Sequence, residues 1–173
     1  MLNERVMVFF DGSNLFKTCE GLSPPIRPDI LKMRDLLVNG RKHIRTYYFC
    51  SVTNPPRENQ VRFFDRLRSL HINVIDKQLK YRGDSPDGKP IYIEKGVDVA
   101  LVTTMLSLAY ANAFDVAIIV GGDNDYIQAV EEVKRFGKIV EIAFFLVAIG
   151  IDFMYCGDNY TSFDDKIDLI KLE

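Results

Sequence analysis

The chain has 173 residues, 47% of them apolar and 27% charged, with a formal net charge of −2. That is the composition of a folded globular domain, long enough to bury about 70% of its unfolded surface without a disulfide or a structural metal. Cys19, Cys50 and Cys156 are its three cysteines, scattered and without a CxxC pair; this argues against a disulfide framework or zinc ribbon and suits a reducing, cytoplasmic setting.

In chain order, Val6 to Phe10 is a continuous apolar run that reads as a buried strand. It is too short for a signal-peptide core or a membrane span. The turn residues Asp11-Gly12-Ser13-Asn14 stop it, and the three prolines of residues 23–28 mark a loop. Residues 29–38 have helical spacing, with Ile30, Met33 and Leu37 on one face and Gly40 as the stop. Residues 44–52 read as a second strand. Asn54-Pro55-Pro56 is a helix start, with Asn54 as cap. The helix then covers residues 57–70, with Val61, Phe64 and Leu67 inward.

Residues 72–79 read as a third strand, and residues 84–89 (DSPDGK) as a turn that lets residues 91–93 pair back as a hairpin arm. Residues 97–111 form a helix apolar nearly all round, hence expected to be buried. Val116 to Val120 is the cleanest buried strand, ended by Gly121-Gly122-Asp123-Asn124-Asp125. An amphipathic helix over residues 126–136 is closed by Gly137. Residues 139–145 read as a last strand, residues 149–155 as a helix, and residues 157–173 as a polar tail. Strands alternate with helices throughout, so the chain reads as a single α/β domain over residues 1–173: a mostly parallel central sheet between two helical layers, three-layer α/β/α and Rossmann-like.

Two strands end alike, one on Asp11 and one on Gly-Gly-Asp123. In a parallel sheet both carboxylates fall on the edge where ligands bind. Asp125 follows in the same turn, and Asp98 is the only acid of its apolar helix. Taken singly, each has an ordinary explanation as a turn residue or helix cap. Together, four carboxylates on one edge repel one another and require a cation. An all-oxygen set without nearby His or Cys points to Mg²⁺ or Mn²⁺ rather than zinc. Such an ion acidifies a bound water and holds a phosphate oxygen, the chemistry of phosphodiester hydrolysis. Asn14 lies three residues from Asp11, where it can orient a water or a phosphate.

The blocks DGSNL (11–15), KGVDVALVTTM (95–105) and GGDNDY (121–126), in this order and spacing, resemble the NYN domain, in particular its LabA-like branch, within the PIN-like nuclease superfamily. The resemblance spans about residues 6–145. It implies a PIN-like fold and a Mg²⁺- or Mn²⁺-dependent ribonuclease whose acids are Asp11, Asp98, Asp123 and Asp125, with Asn14 beside them. Two departures stand out. Relatives often carry Ser or Thr where this chain has Gly122. They also usually have a Ser-rich turn and an L-R-x-x-A-D helix where this chain runs differently over residues 148–163. Many members have no demonstrated activity, so a non-catalytic RNA- or protein-binding module on the same fold is the alternative. Dimerisation suits such a domain, though nothing in the chain marks an interface.

RNA is the expected partner. Residues 1–95 carry 17 Lys+Arg against 11 Asp+Glu, and residues 96–173 carry 5 against 13. A basic half beside an acidic one suits a polyanion track ending at a metal site. Its candidate contacts are Arg57, Arg62 and Arg66 on the 57–70 helix, and Lys80, Arg82 and Lys95 about the hairpin. Tyr81 and Tyr92 are interleaved there to stack on unpaired bases. Other chemistries fit poorly. His43 and His71 lie far from any nucleophile motif. There is no Walker A loop or GxGxxG, so no nucleotide cofactor is expected. A haloacid-dehalogenase-like phosphatase needs an acid where Ser13 stands.

Overall fold

The computed structural model describes residues 3–172. Six strands form one wholly parallel sheet: β1 (Arg5–Asp11), β2 (Lys42–Val52), β3 (Ile72–Gln78), β6 (Val116–Val120), β7 (Ile139–Phe144) and β8 (Asn159–Ser162). Their order is β3-β2-β1-β6-β7-β8. The hairpin strands β4 (Lys80–Asp84) and β5 (Pro90–Ile93) pair only with each other. Side chains alternate across the sheet. Val6, Val8 and Phe10 of β1 therefore face α1 (Gly12–Gly21), α2 (Ile30–Val38), α3 (Glu58–Ser69) and α7 (Ile167–Ile170). Met7 and Phe9 face α4 (Val97–Tyr110), α5 (Ile127–Arg135) and α6 (Ile151–Cys156). The result is the three-layer α/β/α arrangement anticipated from the alternation of elements.

The strand order reverses between β1 and β6. In open α/β sheets such a reversal opens a crevice beyond the carboxyl ends of the strands. Asp11 closes β1 and Asp123 follows β6, so the two acids flank that crevice. Phe10 is in register with Val120. A Cβ built on Gly121 would lie 3.1 Å from the Asp11 Cβ.

Several elements differ from the sequence reading. The turn DGSN opens directly into α1, which Asp11 caps; its polar, glycine-flanked sequence hides a helix held by buried Leu15 and Cys19. Asn54 caps nothing: α3 starts at Glu58, where Gln60 Oε1 accepts the Arg57 N–H at 3.2 Å. Val61 is 41% exposed, so only Phe64 and Leu67 of its trio are buried. The apolar helix α4 is not enclosed. Val97, Leu101, Met105 and Ala109 are buried at helical spacing, while Val99 and Tyr110 face solvent. The polar tail contains a sixth sheet strand and a short helix. Neither was legible, because the edge strand β8 (NYTS) has no apolar alternation and gains its place by pairing with Glu141 to Phe144.

Candidate active site

Asp11 is 3% exposed and points to the α4 side of the sheet. Its Oδ1 accepts the Asn14 N–H at 3.0 Å, which is the cap that starts α1. Its Oδ2 accepts the Tyr126 hydroxyl at 2.8 Å. The same hydroxyl lies 2.8 Å from Oδ1 of Asp98 in the first turn of α4. Tyr126 is wholly buried, with its ring edge-on to Phe153 of α6. One hydroxyl carries one proton and cannot donate to two carboxylates at once. With both acids ionised, one faces a lone pair, and the arrangement lacks a positive charge.

The electrostatics agree. Burial pushes the Asp11 carboxyl up to about 6, against the opposing hydrogen bonds from Asn14 and Tyr126, and the charges of Asp98 and Glu94 add to the rise. Burial, and then the charges and hydrogen bonds of Asp11 and Asp98, raise the Tyr126 phenol, so it remains a donor at neutral pH.

Asp123 is half-buried at the end of β6. Its Oδ1 accepts the Asp125 N–H at 3.0 Å and so caps a single 3₁₀ turn, Asn124–Tyr126. That turn carries Tyr126 back beneath the sheet edge and leaves Asp125 exposed. Asn124 Oδ1 accepts the Phe153 N–H at 3.3 Å, tying the turn to α6. Gly122 is explained here. A Cβ on it would lie 2.0 Å from the Ala148 carbonyl oxygen, and its own carbonyl accepts the Gly150 N–H at 3.0 Å. The two departures from the family pattern, at Gly122 and at residues 148–163, are thus one packing solution.

The structure joins Asp11 to Asp98 through Tyr126 and puts Asp123 and Asp125 on the loop after the neighbouring strand. Among the described residues, no three His, Cys, Asp or Glu side chains are grouped tightly enough to hold an ion by themselves. Mg²⁺ needs no such cage: it keeps several waters and takes one or two carboxylates. The bridged pair, all oxygen and without a cationic partner, fits it. Asn14 is tied to Asp11 by its backbone, not its side chain. Ser13, where a phosphatase would need its second acid, is buried, and its Oγ accepts the Ser51 N–H at 3.1 Å, pinning α1 to β2.

Tyr126 and Glu94 are the residues the sequence reading missed. Tyr126 reads as the first apolar position of a helix, and only its place three residues after Asp123 hints at more. Glu94 follows the hairpin, where an acid reads as a solvated residue. The basic residues are spread out. Arg57, Arg62, Arg66, Lys80, Arg82 and Lys95 are all exposed. Arg62 pairs with Glu58 at 3.1 Å. The hairpin leaves β3 at the acidic edge and ends five residues before Asp98, with Tyr81 and Tyr92 facing each other at 6.0 Å between ring centroids.

A six-stranded parallel sheet between two helical layers, with its strand order reversing between β1 and β6, is a PIN-like fold. The NYN domain family matches residues 5–162, and the chain belongs to that family. No curated protein matches the chain. Among solved structures, a protein of unknown function from Vibrio parahaemolyticus superposes with a TM-score of 0.77 at 21% identity, over 99% of this chain and 98% of that one; the shared fold is what this shows. Acinetobacter baumannii MurG follows with a TM-score of 0.43 at 11% identity, over 92% of this chain and 41% of that one; the likeness is too partial to bear on function. No helix among the described residues is long and apolar enough to cross a membrane.

Proposed function

We propose that this domain is a Mg²⁺- or Mn²⁺-dependent ribonuclease of the LabA-like branch. The observation that carries the reading is the buried Asp11–Tyr126–Asp98 bridge, two carboxylates held on one proton at the sheet's ligand-binding edge. Asp11 and Asp98 would hold the cation, with Asp123 completing the set from the adjoining loop. The cation, when bound, supplies an acidified water and charge neutralisation at the phosphate.

The other roles belong to the chain itself. Tyr126 fixes the orientation of both carboxylates, as an outer-shell donor does in metal sites. Asp125, exposed at the mouth, positions the attacking water and accepts its proton. Asn14, half-buried one turn into α1, orients a phosphate oxygen. Arg57, Arg62, Arg66, Lys80, Arg82 and Lys95, all exposed, would neutralise the backbone of an RNA strand. Tyr81 and Tyr92 offer exposed rings to unpaired bases.

The test is cleavage of labelled single-stranded RNA with Mn²⁺, comparing wild type with Asp11→Asn plus Asp123→Asn. Cleavage that disappears in the double variant and in chelator is the expected result. Folded wild type that binds Mn²⁺ but cuts none of a varied RNA set would instead support the second reading, RNA binding without turnover. The observation favouring that reading is the spread of the acids, which do not gather in threes.

A further inference from the structure

Every acid of the site described so far has a hydrogen-bond donor on at least one oxygen, except the exposed Asp125. Asp11 is served by the Asn14 N–H, Asp11 and Asp98 share the single Tyr126 hydroxyl, and Asp123 is served by the Asp125 N–H. Glu94 differs. Its Oε2 is closed off from solvent and has no hydrogen-bond partner, alone in this among the buried side-chain nitrogens and oxygens of the described residues. No Lys, Arg or His pairs with it among those residues. A carboxylate oxygen removed from water without a donor is costly, and native proteins keep such groups where something else supplies the missing positive charge.

The position of Glu94 says what that is. It follows β5 directly and stands four residues before Asp98, joined to α4 through Gly96. Its charge is felt at Asp11 and at Cys50. Asp11 is in register with Phe49, the neighbour of Cys50, so Glu94 lies at the carboxyl ends of β1 and β2, on the edge that carries Asp11. Arg68, the cation felt at the same cysteine, is paired with Asp76, and none of Glu94, Asp11 and Asp98 has a cationic partner among the described residues, so the three lack the same charge.

We propose that Glu94 is a fifth acidic residue of this site, supplying an oxygen to the bound divalent cation or to one of its waters. The inference rests on the metal-site reading above and adds a residue outside the four acids that the NYN resemblance implies. A ligand that reaches the ion through its water shell need not sit in a tight three-acid cluster, because Mg²⁺ retains several waters. Glu94 also links the hairpin to the centre, since it directly follows the strand that bears Tyr92.

The experiment is Mn²⁺ titration by calorimetry on metal-free protein, with thermal melting in parallel. Wild type, Glu94→Gln and Asp76→Asn are compared; Asp76, paired with Arg68 at the same edge, controls for a general loss of negative charge. Glu94→Gln is expected to weaken Mn²⁺ binding by about tenfold, the usual effect of losing an outer ligand, and to raise the melting temperature of metal-free protein. Asp76→Asn is expected to change the affinity little. If Glu94→Gln fails to fold, Glu94→Asp keeps the charge but shortens the reach, and weaker Mn²⁺ binding is again expected. Wild-type affinity in a folded Glu94 variant, or an equal loss in Asp76→Asn, overturns the role of Glu94 while leaving the metal site standing. A wild type that binds no Mn²⁺ overturns both.

Discussion

The two ends of the parallel sheet treat their carboxylates in opposite ways. At the amino-terminal edge Asp115 and Glu141 are answered by arginines and Asp158 by Lys134. Asp115 takes the Arg5 guanidinium at 2.7 Å, which holds its carboxyl near 2. Glu141 takes Arg41 through two hydrogen bonds at 2.7 and 2.9 Å, with Glu4 a further 4.0 Å contact. At the carboxyl-terminal edge Asp11, Glu94, Asp98, Asp123 and Asp125 have no cationic side chain among the described residues. Only hydroxyl and backbone N–H donors reach any of them. Pairing holds the first edge together, whereas the second is left short of positive charge, which is the condition for taking up a cation.

Neutralising one acid at each edge should therefore move stability in opposite directions. The largest effect is expected at Asp11. Its folded carboxyl is raised to about 6 from 3.8, so the native state binds a proton that the unfolded chain releases. Stability is then full below about pH 4 and is lost as pH rises towards 6, by roughly 3 kcal/mol at most. Metal-free protein should melt higher at pH 5 than at pH 7.5, and Asp11→Asn should remove most of that slope and be the more stable protein at pH 7.5. A steeper loss on the acid side would mean that the carboxylates are compensated after all.

At the opposite edge Glu141→Gln should destabilise by about 2 kcal/mol, because it strands the largely buried Arg41 guanidinium. Denaturant unfolding at pH 7.5 measures it, and a neutral result would erase the contrast between the two ends. The smallest effect concerns the loop that carries Asp123 at the carboxyl-terminal edge. Gly122→Ser should cost about 1–2 kcal/mol by overpacking against Ala148 and should increase proteolysis within residues 145–157. An unchanged protease pattern would show that the 148–163 segment accommodates a side chain and was not shaped by the glycine.

Much of this was legible in the sequence. The apolar runs ending in Asp11 and in Gly121-Gly122-Asp123 gave two buried strands and two acids at their carboxyl ends, because continuous β-branched runs have few other places to go in an α/β domain. The spacing of Asp98 on α4 gave a third. Long amphipathic helices such as α5 declared themselves by period. What stayed hidden depended on partners far along the chain. Strand β8 is a strand only because β7 offers it an edge, and α1 is a helix only because Asp11 caps it and the sheet buries Leu15 and Cys19. Val61 has the right spacing and the wrong neighbours.

The sequence by itself determined the kind of layer fold, the family and the chemical nature of the donors, since periodicity, turn residues and carboxylates are local properties. Tertiary structure alone decided which acids meet. Tyr126 joins Asp11 to Asp98 across separations of 115 and 28 residues. Gly122 is required by a carbonyl 26 positions away. Glu94 stands out only once burial removes its water, because hydration and proximity are set by the folded packing and by no residue alone.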